Sequence, residues 1–192
     1  MAGILIHQDN KKLKEQIKAA IPIEGYCVFI DMVNSTGIKA SPWKEWIPLY
    51  FNTFSQIMFN LAKYGEPIKI IGDALMYFID KDVDTGCLYK RLLEIIYHDA
   101  TPSVEVKVGA CYCKEILEIT FKKGQYDVYG RDIDLTNRLL NLAEKKEKII
   151  MNDEFYKRLP KDKIMHKSIY GPFSFRIKGF DEYKFVYKHK EV

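Results

Sequence analysis

From Tyr26 to Val33 the chain reads YCVFIDMV, with no charged position until Asp31. Such continuous apolar, β-prone text predicts a central strand covered on both faces. Over residues 42–64 the period changes. Trp46, Tyr50, Phe54, Met58 and Leu61 fall near helical spacing, with Ser41 and Pro42 at the start and Pro48 as a kink in the first turns. Residues 68–71 and 74–79 read as two strands joined by Gly72-Asp73, a dipeptide suited to a tight hairpin. A helix is predicted over 88–97, then a second hairpin from 104–113 and 116–121, with Lys123-Gly124 closing the following turn. The stretch 129–148 predicts a helix with Ile133, Leu135, Leu139, Leu140 and Leu142 at apolar positions. A short strand at 149–151, a helix at 153–159 and two strands within 173–180 and 183–189 complete the pattern. The order strand, helix, strand, strand, helix, strand describes an α+β fold with a ferredoxin-like βαββαβ core and extra C-terminal strands. Residues 1–21 are amphipathic and lysine-rich and predict an outer helix or arm, which divides the chain into an arm over 1–23 and one folded unit over 24–192.

At 192 residues and 47% hydrophobic, the chain is long enough for one core. It shows neither a run near the roughly 18 apolar residues of a membrane span nor the order of a secretory signal, so a soluble cytoplasmic protein is expected. Cys27, Cys87, Cys111 and Cys113 lack CxxC spacing, which argues for reduced core thiols rather than zinc or disulfides. The net charge of +4 is spread along the chain. That pattern speaks against nucleic acid and suits a small phosphate-bearing ligand.

Two acids need an explanation. Ionised carboxylates in strand interior are unfavourable by many kcal/mol unless cations or donors compensate them. Asp31 alone reads as a turn cap and Asp73 as a turn aspartate. In a ferredoxin-like core, however, the first strand neighbours the following hairpin, which brings the two within reach of shared cations. Two carboxylates with open coordination positions suit Mg²⁺ when substrate phosphates complete its shell.

Four segments carry a resemblance: FIDMVNSTG (29–37), KIIGDALMYF (69–78), VKVGACYCK (106–114) and YDVYGRDIDLTNRLLNLA (126–143). In this order they resemble the catalytic domain of class III nucleotidyl cyclases, and IKGFDEYKFVY near the C-terminus resembles that family's closing hairpin. A stand-alone domain of this size is most similar to the small cyclases of Pycsar antiphage defence, which make cyclic pyrimidine nucleotides as second messengers. The resemblance implies a lyase that closes a ribonucleoside triphosphate into a 3′,5′-cyclic nucleotide and releases pyrophosphate. It implies two Mg²⁺ or Mn²⁺ ions on Asp31 and Asp73, helped by the backbone carbonyl of Ile30. It also implies phosphate contacts from the turn Asn34, Ser35, Thr36 and Gly37 at a helix start, and from Lys114. Arg138 then stabilises charge on the reacting phosphate, against its ordinary reading as an i, i+4 partner of Asp134. Two positions depart from the family: Asp134 stands where many members place a ribose-holding asparagine, and Phe180 where some place a lysine, for which Lys178 is the substitute. Because such enzymes split their site between two chains, a homodimer with composite sites is expected, an inert monomer, and a downstream effector that is a separate protein.

Lys69 and Asp127 match the positions that read the base. One donor and one acceptor suit uracil, cytosine and adenine alike. Guanine is disfavoured, since members using it carry glutamate at the position of Lys69. UTP is favoured slightly over CTP, with ATP and cyclic AMP as the alternative and a catalytically silent nucleotide-binding module as the other.

Overall fold

The computed structural model describes residues 4–5, 10–97, 104–120, 126–143, 147–161 and 167–190. Its centre is β2 (Ile23–Met32), hydrogen-bonded antiparallel on one side to β4 (Ala74–Asp80) and on the other to β5 (Val106–Thr120). Both faces of β2 are covered, and Cys27, Val28, Phe29 and Ile30 are all buried, as the unbroken apolar run requires. β3 (Lys69–Ile71) pairs with β4 at the edge, so the first four core strands take the order β3-β4-β2-β5. This is the ferredoxin-like arrangement. Beyond β5 lie β7 (Glu147–Asn152), parallel to it, then β9 (Tyr183–Lys190) and β8 (Ile169–Arg176), both antiparallel to their neighbours. The short strand β1 (Ile4–Leu5) pairs in parallel with the far end of β5, so the N-terminal arm contributes a strand as well as the helix α1 (Asn10–Ala19). No described helix is long and apolar enough to cross a membrane.

Period-two alternation sorts the strands between two cores. Tyr26, Val28, Ile30 and Met32 join Leu75, Tyr77 and Ile79 under α3 (Trp43–Leu61) and α4 (Thr85–Tyr97). Cys27 and Phe29 point the other way, into a smaller cluster with Met76, Cys111 and Cys113 under α5 (Arg131–Leu139). Gly109 lets α5 lie directly on the sheet, since a Cβ there would stand 2.6 Å from the Thr136 carbonyl oxygen.

Two expectations are corrected. Residues 104–121 do not turn back on themselves: β5 runs through as one strand that bends at Glu115 (φ 54°). No Gly-containing turn interrupts Lys114-Glu115, and the partner of the strand's second half is instead β6 (Val128–Tyr129). The Lys123-Gly124 turn lies outside the described residues. The NSTG segment does stand at a helix start, but of a short helix, α2 (Ser35–Lys39), entered through Asn34 in the left-handed region (φ 55°). The helix predicted over 129–148 is also shorter, ending at Leu139 and tightening into a 3₁₀ turn over Leu140–Leu142. A last helix, α6 (Asp153–Arg158), is capped by Asn152, whose side-chain oxygen accepts from the Phe155 N–H at 2.9 Å.

Candidate active site

Asp31 sits next to the end of β2, opposite Ala74 on β4 and Lys107 on β5. The β3–β4 turn is only Gly72-Asp73, with Gly72 at φ 64°, a conformation glycine adopts without strain. That turn is tied to β2 by a hydrogen bond from the Met32 N–H to the Asp73 carbonyl oxygen at 3.2 Å. The two acids, 42 positions apart in the chain, thereby become neighbours whose carboxyl groups interact directly. Burial raises the Asp31 carboxyl above its ordinary range; the Lys107 charge opposes this and the Asp73 charge reinforces it. Burial pushes Asp73 up as well, but a hydrogen bond from Ser35 and the charge of Lys39 outweigh it and hold Asp73 below the usual range.

Each acid already faces an ammonium group. Lys107 Nζ lies 3.3 Å from Asp31 Oδ2, and Lys39 Nζ lies 3.8 Å from Asp73 Oδ1. Each acid is thus compensated by a cation of the chain itself. Among the described residues no group of three or more His, Cys, Asp or Glu side chains could hold a metal. Two hard carboxylates without further ligands fit Mg²⁺ or Mn²⁺, which take one or two carboxylates and complete their shells with water and substrate phosphates; they do not fit a closed zinc site. Ile30 is core by its side chain, and its backbone adjoins Asp31.

Lys69 and Asp127, the residues expected to read the base, meet within one chain. Lys69 Nζ lies 2.8 Å from Asp127 Oδ1, Tyr129 donates to Asp127 Oδ2 at 2.7 Å, and the Val128 N–H donates to Asp127 Oδ1 at 2.8 Å. The Lys69 ammonium also stands over the Tyr129 ring, 4.4 Å from its centroid. Lys69 pairs with Met76, which pairs with Phe29, so Lys69 shares a sheet face with Asp31. Across two strands and two residues along, the backbone positions of Asp31 and Lys69 are about 12 Å apart. Asp127 reaches Lys69 because the far half of β5 and β6 extend over this face beside Phe78 and Met76.

Arg138 lies at the C-terminal end of α5. Among the described residues no ion pair joins it to Asp134; its guanidinium donates to the Lys178 carbonyl oxygen and lies beside Gly179. Among the described residues its charge has no carboxylate partner. Asp134 is exposed in the first turn of α5, where the helix dipole favours an acid. Lys178 contributes that carbonyl while its side chain stays exposed. Phe180 is buried, with the Arg131 guanidinium 4.7 Å and the Lys184 ammonium 5.4 Å from its ring centroid.

Lys114 does not reach the acids of its own chain: it pairs with Glu154 at 3.2 Å, and its N–H donates to Asp132 at 2.9 Å. β5 runs antiparallel to β2, so Cys113 stands opposite Gly25 and Lys107 opposite Asp31. That places Lys114 roughly 20 Å down the sheet from Asp31. The cation facing Asp31 is Lys107, which reads in sequence as one polar position of an alternating strand and becomes visible only through register. The turn Asn34–Gly37 opens a helix as expected, but one of five residues, too short to supply much of a dipole. Ser35 hydrogen-bonds Asp73, and the Asn34 side chain packs so closely on Gly37 that a Cβ there would stand 2.6 Å from Asn34 Oδ1. Thr36 is exposed.

The model of the adenylate and guanylate cyclase catalytic domain matches residues 25–187. Comparison with curated protein sequences gave no match. Among solved structures, the fold is similar to a bacterial light-regulated adenylyl cyclase, with TM-score 0.72 and 18% identity over 88% of this chain and 52% of that one. It is also similar to the adenylyl cyclase CyaB from P. aeruginosa, with TM-score 0.70 and 19% identity over 88% and 95% of the two chains. A third similar structure is the guanylate cyclase domain of RhGC from Catenaria anguillulae in complex with GTP, with TM-score 0.70 and 16% identity over 90% and 100%. The chain spans about half the length of the light-regulated protein. The family match covers most of the chain and takes in Asp31, Asp73, Lys69, Asp127 and Arg138. The chain belongs to the family of adenylate and guanylate cyclase catalytic domains.

Proposed function

We propose that this protein is a cytoplasmic class III nucleotidyl cyclase that converts a pyrimidine ribonucleoside triphosphate, UTP ahead of CTP, into its 3′,5′-cyclic monophosphate and pyrophosphate. The observation that carries the reading is the juxtaposition of Asp31 and Asp73 at one end of β2, each faced by a lysine. A module that only binds nucleotide has no need of two mutually repelling carboxylates, and a silent domain is the weaker reading for that reason.

Asp31, Asp73 and the Ile30 carbonyl would hold two Mg²⁺ or Mn²⁺ ions. When bound, these supply charge neutralisation on the triphosphate and favour the ionised 3′-hydroxyl. Lys107 and the backbone of residues 34–37, with Thr36, border the same end of the sheet and suit the phosphates. The unit over residues 24–192 acts as a homodimer, in which Lys69, Asp127, Asp134, Arg138 and Lys178 of the partner subunit complete each site. Arg138, which among the described residues has no carboxylate against it, directs its charge toward the reacting phosphate, a role of several kcal/mol in a preorganised site. Asp134 accepts from a ribose hydroxyl but cannot donate. The base is read by Lys69 as donor and Asp127 as acceptor. Tyr129 holds Asp127 and backs Lys69, an aromatic wall that suits one ring better than two. Adenine presents a donor and an acceptor that the same pair accepts, which keeps ATP as the second reading. The resemblance to Pycsar cyclases supports an antiphage second-messenger role, with a separate cyclic-nucleotide-binding effector.

Incubation with each of the four ribonucleoside triphosphates and Mn²⁺, followed by mass spectrometry, tests this. Cyclic UMP as the main product is expected. Dominant cyclic AMP would replace the base assignment, and no cyclic product from any base would leave the silent module.

A further inference from the structure

The acid pair carries two lysines of different character. Lys107 projects from the middle of the sheet, on a strand fixed by pairing on both sides, and its ammonium is 3.3 Å from Asp31. Lys39 is the last residue of the one-turn helix α2, more exposed, and its ammonium is 3.8 Å from Asp73. It lies over the Tyr50 ring, 5.1 Å from the centroid, and the Tyr50 hydroxyl donates to the Ser35 carbonyl oxygen at 3.5 Å. Tyr50 thus supports both ends of α2 and keeps Lys39 on the side of Asp73.

We propose that Lys39 is a phosphate-binding residue held on Asp73 until divalent cations arrive, and that it then engages the outermost phosphate of the substrate. This rests on the cyclase reading above. The pocket holds two negative and two positive side-chain charges. A divalent ion on the acids makes the local charge positive, and the more loosely held ammonium is expelled first. A triphosphate restores balance. A lysine on a flexible four-carbon stem can follow the charge, whereas the strand-borne Lys107 remains in place. Lys39 therefore competes with the metal before substrate binds and assists binding afterwards, so its removal has effects of opposite sign on two ligands.

The test uses wild-type protein, Lys39→Ala and Lys39→Arg, with thermal melts to verify folding, and no nucleotide. Mn²⁺ binding is followed by electron paramagnetic resonance, and inorganic triphosphate and pyrophosphate are titrated in the presence of Mn²⁺. Lys39→Ala is expected to bind Mn²⁺ about two- to fivefold more tightly, the scale of a half-exposed ion pair. It is expected to bind triphosphate about tenfold more weakly, the scale of a charge-assisted contact, with less change for pyrophosphate. Lys39→Arg restores triphosphate binding. Unchanged affinities in Lys39→Ala, or Mn²⁺ and triphosphate both weakened together with a lowered melting temperature, would overturn the proposal and leave the cyclase reading intact. A wild-type protein that binds no Mn²⁺ would overturn both.

Discussion

The two faces of the sheet are built from the same strands but serve different ends. The face under α3 and α4 is closed, with Leu88, Tyr89, Leu92 and Ile95 of α4 fully buried against Tyr26, Val28 and Ile30. The face under α5 is only partly closed, and it carries Asp31, Lys69, Asp127 and Arg138. A strand residue and its sequence neighbour point to opposite sides, so one strand supplies both a sealed core and the face that carries Asp31. At β2 this means Ile30 stabilises the fold while Asp31, one position on, is held in an environment that raises its pKa. The closed face anchors the strands, and that rigidity lets two acids stay close despite their repulsion.

Mutations that separate the faces test this division. Asp31→Ala or Asp73→Ala is expected to lower cyclic nucleotide formation by at least about a thousandfold, the scale of losing a preorganised charged contact. The melting temperature should hold or rise for Asp31→Ala, whose carboxyl is held above its ordinary range, and hold or fall slightly for Asp73→Ala, whose carboxylate is favoured by Ser35 and Lys39; retained turnover would remove both acids from the site. Leu92→Ala on the closed face should do the reverse, costing about 2–5 kcal/mol of stability in denaturant melts while the folded fraction keeps its turnover.

The closed face should also be the acid-sensitive one. His189 on β9 is buried against α4, its Nδ1 2.6 Å from the Tyr89 hydroxyl, and burial pushes its pKa down to about 4. Between that value and the ordinary 6.5, the unfolded chain binds the proton and the native one does not. Stability therefore falls as pH drops through this window, by up to about 3 kcal/mol. His189→Phe should flatten that slope; an unchanged slope would place the acid sensitivity elsewhere. The smallest effects separate two lysines of one strand. Lys107→Ala should raise KM for the triphosphate clearly, whereas Lys114→Ala, engaged with Glu154 at the other end of β5, should stay within about twofold, as for a surface ion pair. Equal effects would contradict the register argument.

Much of this was legible in the chain itself. The apolar run at β2, the period of α3 and the Gly72-Asp73 turn each follow from local chemistry, and together they order the core strands. The acids were legible because charge within strand text demands compensation. Lys107 was not, because a lysine in an alternating strand looks the same wherever it falls; only the pairing of Asp31 with Lys107 distinguishes it. Arg138 shows the same limit. The i, i+4 spacing suggests a bond to Asp134, yet the guanidinium reaches the Lys178 carbonyl, a contact 40 residues away. The single long strand β5 was misread as a hairpin because Lys114-Glu115 bends the strand without reversing it, a distinction that depends on the φ of Glu115.

The account turns on Asp31 and Asp73 jointly holding divalent cations under a triphosphate. Crystals grown with Mn²⁺ and a non-cyclisable nucleoside triphosphate, measured at the manganese edge, address it directly. Anomalous peaks within about 2.3 Å of carboxylate oxygens from both acids are predicted. Peaks absent from this pair, or held by one acid alone with the other still on its lysine, would contradict it.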